Sequence, residues 1–473
     1  MAELTDLGLV ELAEAIRARL VSSREATEAA LARARTVQPA TNAFIALDEA
    51  GALAAADAAD RALARGGAIG PLHGVPLAHK DMFFRKGRVS GCGSAILRDV
   101  PADRTATVLA RLDNAGALDI ARLNMAEFAF GPTGHNVHYG DGRNPWDPAR
   151  ITGGSSSGSG AAVAARAVWG ALGSDTGGSI RLPAALCGIV GLKPTHTRVS
   201  RYGAMGLSFS LDTIGPLART VRDAARLLAA IAGPDPCDPT AASHPVGRYE
   251  EAARAGAAGG LSGVRIGVPG NYYGDDLDPE IRGCWQDGAK LLAGLGAEIV
   301  EVKIPLHEHL SFLANAIAAT EGATLHGHWM RTRKEDYSPQ VRARIEMGFA
   351  VPARHYLAAL TLRPRLVREF CDRVFAACDA LWAPALAQPA PERAATDFGD
   401  GPDMVAGLAE LTRLLRPFNY LGLPVVALPA GFDRNAMPIG MQLAGPPFAE
   451  ARLVRIAAAF ENAAGLAARR PPL

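Results

Sequence analysis

Lysine is scarce in this 473-residue chain: Lys80, Lys86, Lys193, Lys290, Lys303 and Lys334 are the only six among 49 basic residues, the remaining 43 being arginine. A lysine that ends an apolar stretch has therefore escaped a strong bias. Charge of one sign is also lacking. The formal net charge is +1, so no global field draws the chain to nucleic acid or to an acidic membrane surface. The six cysteines, Cys92, Cys187, Cys237, Cys284, Cys371 and Cys378, are dispersed without a CxxC pair. They read as reduced thiols, with Cys187 and Cys378 in apolar surroundings. No uncharged apolar run approaches the roughly 20 residues that span a bilayer. The N-terminal MAELTDLGLVELAEAIRARL is amphipathic and acidic early on, without the apolar core of a signal peptide. A cytoplasmic protein without a membrane partner is the expectation. Internal repeats and heptads are missing too.

What is present is an ordinary globular composition, 49% hydrophobic and 21% charged. Leu9, Leu12, Ile16 and Leu20 recur at helical spacing and predict a first helix with one buried stripe. Ser22 or Ser23 is placed to cap a second helix carrying Ala26, Ala30, Leu31 and Ala34. Asn42–Asp48 reads as a short strand and Ala50–Ala64 as a helix. From Gly74 onward, short apolar strands (Val75–Ala78, Ala117–Ala121, Ala171–Ser174, Val264–Val268) alternate with helices. That alternation predicts an α/β sheet covered on both faces. Gly/Pro-rich punctuation at Gly233–Pro239 and Ala252–Gly260 predicts exposed excursions. The expected organisation is an N-terminal helical segment, residues 1–65, packed on one large domain, residues 66–473.

The chemistry concentrates in Gly153–Pro194. Two glycine-rich serine loops, GGSSSG and SDTGGSIR, place Ser155 and Ser179 twenty-four positions apart. Ser179 stands before a predicted helix start, whose free N–H groups would face the site above it. The N–H groups of the Thr176–Ser179 turn could hold an oxyanion, at about 2.7–4 kcal/mol per donor. Alone, such a serine reads as a helix cap; with the other pieces it reads as a nucleophile. A hydroxyl is a poor base, so Ser155 can serve only as a proton relay. A nucleotide-binding loop would need GK[ST] after the glycines, and none follows. Upstream, the apolar run GVPLA delivers His79, Lys80 and Asp81. A free lysine is protonated at neutral pH, but burial at a strand end could lower it to roughly 7–8 and let it accept a proton. Asp81 would oppose that shift if it faced the amine, and is expected to point elsewhere.

Lys, Ser and Ser in this order and spacing resemble the amidase signature family of amide hydrolases. The resemblance runs from NAF (Asn42–Phe44) through GxPxxxKD (Gly74–Asp81), GLKPT (Gly191–Thr195) and SLDTIGPLART (Ser210–Thr220) to GLPVVALPAG (Gly422–Gly431) and PIGMQLAG (Pro438–Gly445). It implies one α/β domain around a long twisted mixed sheet flanked by helices. It implies a Ser-cisSer-Lys triad at Ser179, Ser155 and Lys80, with oxyanion-hole amides at Thr176, Gly177, Gly178 and Ser179. Met125–Gly134 resembles a loop lining the acyl pocket, which makes Phe128 and Phe130 candidate wall residues; both also read as core aromatics. No metal or cofactor is implied, and the histidine pairs His307/His309 and His326/His328 read as surface residues. Asp175 and Arg181 are expected to brace the nucleophile loop by an ion pair. Arg363, Arg365 and Arg368 read as a solvated helix face, or less simply as a carboxylate holder.

Three functions follow. The first is an amidase acting on a small-molecule amide through an acyl-enzyme, without nucleic acid and with a homodimer admitted. The second is the A-type, glutaminase subunit of a tRNA-dependent aspartyl/glutamyl amidotransferase. Such subunits recognise glutamine partly through an Asp before a PxNxxGLP-like segment; here the segment is Pro417–Pro424, and the matching position is Thr412. The third is cleavage of a ureide, carbamoyl amide or ester. Retention of Lys80, Ser155 and Ser179 argues against an inert scaffold.

Overall fold

The apolar runs that alternate with helices become neighbours in one sheet of a computed structural model, which describes residues 4–67 and 69–473. Eleven strands form it: β1 (Phe44–Leu47), β2 (Pro76–Lys80), β3 (Leu118–Leu123), β4 (Gly170–Asp175), β5 (Val190–Lys193), β6 (Thr213–Ala218), β7 (Arg265–Pro269), β8 (Glu298–Val302), β9 (Ala380–Pro384), β10 (Val425–Phe432) and β11 (Pro438–Ala444). Their order is β1-β3-β2-β4-β6-β5-β10-β11-β9-β7-β8. The pairs β3–β2, β2–β4, β9–β7 and β7–β8 are parallel and the rest antiparallel, so the sheet is mixed. Strands β2, β4, β5, β6, β9 and β11 are buried along their whole length. Burial at every alternate side chain requires cover on both faces, and helices supply it. This is the single α/β domain with a flanked mixed sheet expected from the sequence.

Near the N-terminus, Ser22 caps the helix Ser23–Thr41. Glu25 N donates to Ser22 Oγ at 3.0 Å, and Ser22 N donates to Glu25 Oε2 at 2.8 Å, a reciprocal pair that satisfies two helix-end donors. Ser22→Ala should cost about 1 kcal/mol, read as a lower urea midpoint with an unchanged slope; an unmoved midpoint would remove the cap from the account. The first helix, Leu9–Arg17, buries Leu9, Leu12 and Ile16. Leu20, read as part of the same stripe, is instead 79% exposed. The helix has ended by then, and Arg19 adopts φ +59°, which swings the chain off the helical period. The first three residues of that N-terminal stretch lie outside the described residues.

Ala252–Gly260, read as an exposed excursion, is mostly the end of the helix Tyr249–Ala258, which packs on Glu450–Ala464. A Cβ on Gly256 would lie 2.1 Å from Arg455 O, so only glycine lets the two helices approach this closely. Among the described residues no helix is long and apolar enough to cross a membrane.

Candidate active site

Strands β2 and β4 run parallel, with His79 level with Leu172. Their C-terminal ends therefore reach the same edge of the sheet, where parallel strands of α/β folds present their chemistry. Lys80 ends β2 and Asp175 ends β4, and the Lys80 side chain reaches Ser174, next to Asp175. Lys80 Nζ lies 2.7 Å from Ser155 Oγ and 2.8 Å from Ser174 Oγ, and all three residues are buried. Burial pushes the amine down to about 7, against the opposing pull of Asp212 and Asp175. His79, buried beside it, is pushed down to about 4 by the same desolvation. Asp81 turns away as expected, pairing with Arg122 Nη1 at 2.9 Å.

Ser155 is delivered by the loop before the helix Ser157–Ala164, and the Gly154–Ser155 peptide is cis. A Cβ on Gly154 would lie 2.5 Å from Gly131 O, so this loop can pack as it does only through glycine. Ser156 N donates to Ser179 O at 3.4 Å and ties the two serine loops together. Unlike Ser155, Ser179 is only half-buried, and it lines a cavity of about 60 Å³ with Thr176 and Gly177.

The Asp175–Arg181 pair braces the second loop. Arg181 Nε reaches Asp175 Oδ2 at 3.0 Å with both side chains fully buried, and Asn419 Nδ2 donates to Asp175 Oδ1 at 2.7 Å. The guanidinium and the donated hydrogen bonds hold the Asp175 carboxyl well below the usual range. Asp212 fixes the other side of the loop by accepting from Thr176 Oγ1 and from the amides of Leu207 and Ser208.

Several expectations need correction. The helix after Ser179 begins only at Arg181, and the amides of Ile180 and Arg181 donate to Asp175 Oδ2. Its end therefore points at Asp175 and not into the cavity. Gly178 N also donates to Asp175 Oδ1, at 2.8 Å, and is therefore already engaged; the amides of Thr176, Gly177 and Ser179 have no acceptor among the described residues. Phe128 is a core ring, edge-on to His326 at 4.6 Å and stacked on Trp329 at 5.6 Å, whereas Phe130 lines a cavity. His307 and His326 are buried, each hydrogen-bonded to a tyrosine hydroxyl (Tyr273 and Tyr337). They lie on the helix His307–Thr332, where residues two apart do not share a face. Arg363 donates to Ser210 O at 2.7 Å, leaving Arg365 and Arg368 to the solvated face.

The sequence reading missed Ser174, Asp212, Asn419, Arg344 and Arg416. Ser174, beside Asp175 in the signature loop, and Asn419, inside PFNYLGLP, stood in stretches already singled out. Arg344 and Arg416 carried no local signal, yet both line the cavity that holds Ser179.

Comparison with known proteins finds relatives along nearly the whole chain. The family model described as Amidase matches residues 25–454. A protein of Myxococcus xanthus named as the A-type subunit of the glutamyl-tRNA(Gln) amidotransferase is 40% identical, covering 100% of both chains. Among solved structures, a vestigial protein complex bearing on the origins of an s-triazine catabolic enzyme superposes with a TM-score of 0.86 at 38% identity, covering 96% of this chain and 98% of that one. The native peptide amidase of Stenotrophomonas maltophilia gives 0.84 at 30% identity, covering 100% and 99%. The curated likeness overturns the expectation of a small-molecule amide substrate with no connection to nucleic acid. Full-length relatives at this identity carry the name of one component of a tRNA-directed amidotransferase, and a net charge of +1 is silent about nucleic acid met through a partner protein. On family match, fold and site together, the chain belongs to the amidase signature family and is an amide C–N hydrolase.

Proposed function

We propose that this chain is the amide-hydrolysing, A-type component of an amidotransferase-like assembly, freeing ammonia from an amide donor through an acyl-enzyme on Ser179. The observation that carries the chemistry is the buried Lys80 amine at 2.7 Å from Ser155 Oγ, on the loop tied to Ser179. The assembly is supported by full-length likeness to relatives named for that role. A tRNA-linked reaction also fits the cytoplasmic setting expected from the sequence.

The steps balance within these residues. Ser179 Oγ attacks the amide carbon and gives its proton to Ser155 Oγ, which passes its own to neutral Lys80 Nζ. The resulting oxyanion meets the free amides of the Thr176–Ser179 turn. The proton then returns from Lys80 through Ser155 to the amide nitrogen, the C–N bond breaks, and ammonia leaves. Water attacks the Ser179 ester, its proton taking the same relay. The acid departs as Ser179 regains its hydrogen.

A fluorophosphonate probe should label the wild-type chain at Ser179, and Ser179→Ala should lose the label while keeping its circular dichroism spectrum. Unchanged labelling would move the nucleophile to the Ser155–Ser157 run. The assembly is tested by supplying the chain in place of the A-type component of a relative's amidotransferase. Amidation of glutamyl-tRNA is the expected result; ammonia release with no tRNA product would confine the chain to hydrolysis.

A further inference from the structure

Glu321 is buried on the helix His307–Thr332, and the steps above make no use of it. Both oxygens of its carboxylate are nevertheless occupied. Oε2 accepts from Ser208 Oγ and, at 2.9 Å, from Ser210 N. Oε1 accepts from Ser210 Oγ and, at 3.0 Å, from Tyr356 Oη of the helix Ala353–Phe370. Three of these four donors belong to one short stretch, Ser208–Ser210, and Arg363 holds the same stretch by donating to Ser210 O at 2.7 Å.

That stretch opens the turn that carries Asp212. Ser208 N and Leu207 N donate to Asp212 Oδ2 at 3.0 and 2.8 Å, and Asp212 N donates back to Ser208 O at 2.9 Å. Asp212 Oδ1 in turn accepts from Thr176 Oγ1. Ser208, Asp212 and Thr176 are all buried. A continuous path of hydrogen bonds therefore runs from Glu321 through Ser208 and Asp212 to the nucleophile loop. It bears on the site twice. The amides of Thr176 and Gly177 can meet an oxyanion only while their turn is held, and a shift of about 1 Å can cost about 10²-fold in rate. Burial pushes the Lys80 amine down, and Asp212 gives the largest opposing pull, ahead of Asp175 and Cys92. Without the carboxylate, the Ser208 hydroxyl and the Ser210 amide lose their acceptor, and the stretch that fixes Asp212 is released.

Resting on Ser179 as nucleophile and Lys80 as base, we propose that Glu321 is a positioning residue for amide hydrolysis, fixing the Asp212 carboxylate and the Thr176–Ser179 turn through Ser208 and Ser210. It does not line the Ser179 cavity. What the position requires is an acceptor toward the loop and not a negative charge. Glutamine meets that requirement. Its carbonyl oxygen in the place of Oε2 accepts from Ser208 and Ser210, and its amide in the place of Oε1 donates to the Ser210 and Tyr356 hydroxyls, which can turn to accept.

The test reads kcat per active site, counted by fluorophosphonate label at saturation, so misfolded chain does not enter. Glu321→Ala should lower kcat about 10–100-fold, the scale of a displaced oxyanion donor. Glu321→Gln should stay within about threefold of wild type. The second readout is the rise of kcat/KM with pH that a neutral Lys80 amine produces. With Asp212 released its pull on Lys80 weakens, so this rise should move below about 7 in Glu321→Ala and stay in place in Glu321→Gln. An unmoved rise in Glu321→Ala overturns the proposal. A rise displaced upward also overturns it, since that marks water admitted to Lys80 and not Asp212 released. A Glu321→Gln enzyme as slow as Glu321→Ala would make the charge the requirement and sink the positioning role. If Glu321→Ala fails to fold, Ser208→Ala is read in its place, with a fall of roughly 2–10-fold and the same downward shift expected; no shift there is equally fatal. The two readings fail separately. Missing label on Ser179, or a pH rise that survives Lys80→Met, removes the triad, whereas a labelled Ser179 and a Lys80-dependent rise that ignore Glu321→Ala remove only the positioning role.

Discussion

Lys80→Met should lower kcat/KM by about 10²–10⁴-fold, the range of a lost general base, and should erase the alkaline rise of the pH profile. With Lys80 held near 7 by burial, the neutral amine that can accept a proton accumulates as pH rises through that value. Wild-type kcat/KM should therefore climb with pH up to about 7 and level off above it. His79 cannot supply the limb, because burial leaves it neutral from about pH 4 upward. Lys193 can imitate it. It is also fully buried and pushed down to about 7 by desolvation and by Arg181, with its Nζ donating to Pro194 O at 3.0 Å. Lys193→Met is the necessary control and should keep the limb. A Lys80→Met enzyme that still shows the limb would end the lysine-base assignment.

The same substitution makes a second, opposite statement about stability. Below about pH 7 both folded and unfolded chains hold the Lys80 proton, so the fold carries the full cost of a buried ammonium. Between about 7 and 10.5 the unfolded chain binds more protons than the folded one, and stability attributable to Lys80 rises with pH. Above that window both forms are neutral and the cost is gone. Lys80→Met should thus stabilise the protein near pH 6 and do so by less near pH 9, measured as the difference in urea-unfolding free energy from wild type.

How much of this was written in the sequence depends on range along the chain. The strands Val75–Ala78, Ala117–Ala121, Ala171–Ser174 and Val264–Val268 were legible because a buried strand needs a short apolar run bounded by breakers, a local property. Lys80 was legible for the same reason, as a rare residue at the end of such a run, and so were both serine loops. The cavity beside Ser179 was not. Its walls come from Ala314–Ala318, Arg344 and Leu408–Arg416, brought to Ser179 by helix packing that no local pattern encodes. Phe128 and Phe130 show the limit at short range. Two residues apart in one motif, they part ways because Phe128 and Ala129 both take positive φ, sending one ring into the core and the other to the cavity wall. The histidine pairs, read as surface residues, split instead: His307 and His326 are buried where the helix His307–Thr332 packs, which two-residue spacing alone does not encode.

Asp175→Ala should cost roughly 3–5 kcal/mol of folding free energy, the scale of a buried charge stripped of its partner. Arg181 would remain fully buried beside the emptied position, and the amides of Gly178 and Ile180 would lose their acceptors at 2.8 and 3.1 Å. The test lies in the double variant Asp175→Ala/Arg181→Met. Removing the guanidinium as well eliminates the orphaned charge, so the double should be more stable than Asp175→Ala alone. It should not regain wild-type stability, because Leu415 O, Gln442 Oε1 and Asn419 Oδ1 each lose the Arg181 donor. Denaturant unfolding at neutral pH reads both comparisons. Amide hydrolysis should stay low in the double variant even where stability recovers, because Asp175 also shapes the turn that holds Thr176, Gly177 and Ser179. A double variant less stable than Asp175→Ala would show that Arg181 acts mainly through its carbonyl and amide acceptors. The ion pair would then be incidental to the loop, and the brace would have to be sought in Asn419 and Asp212.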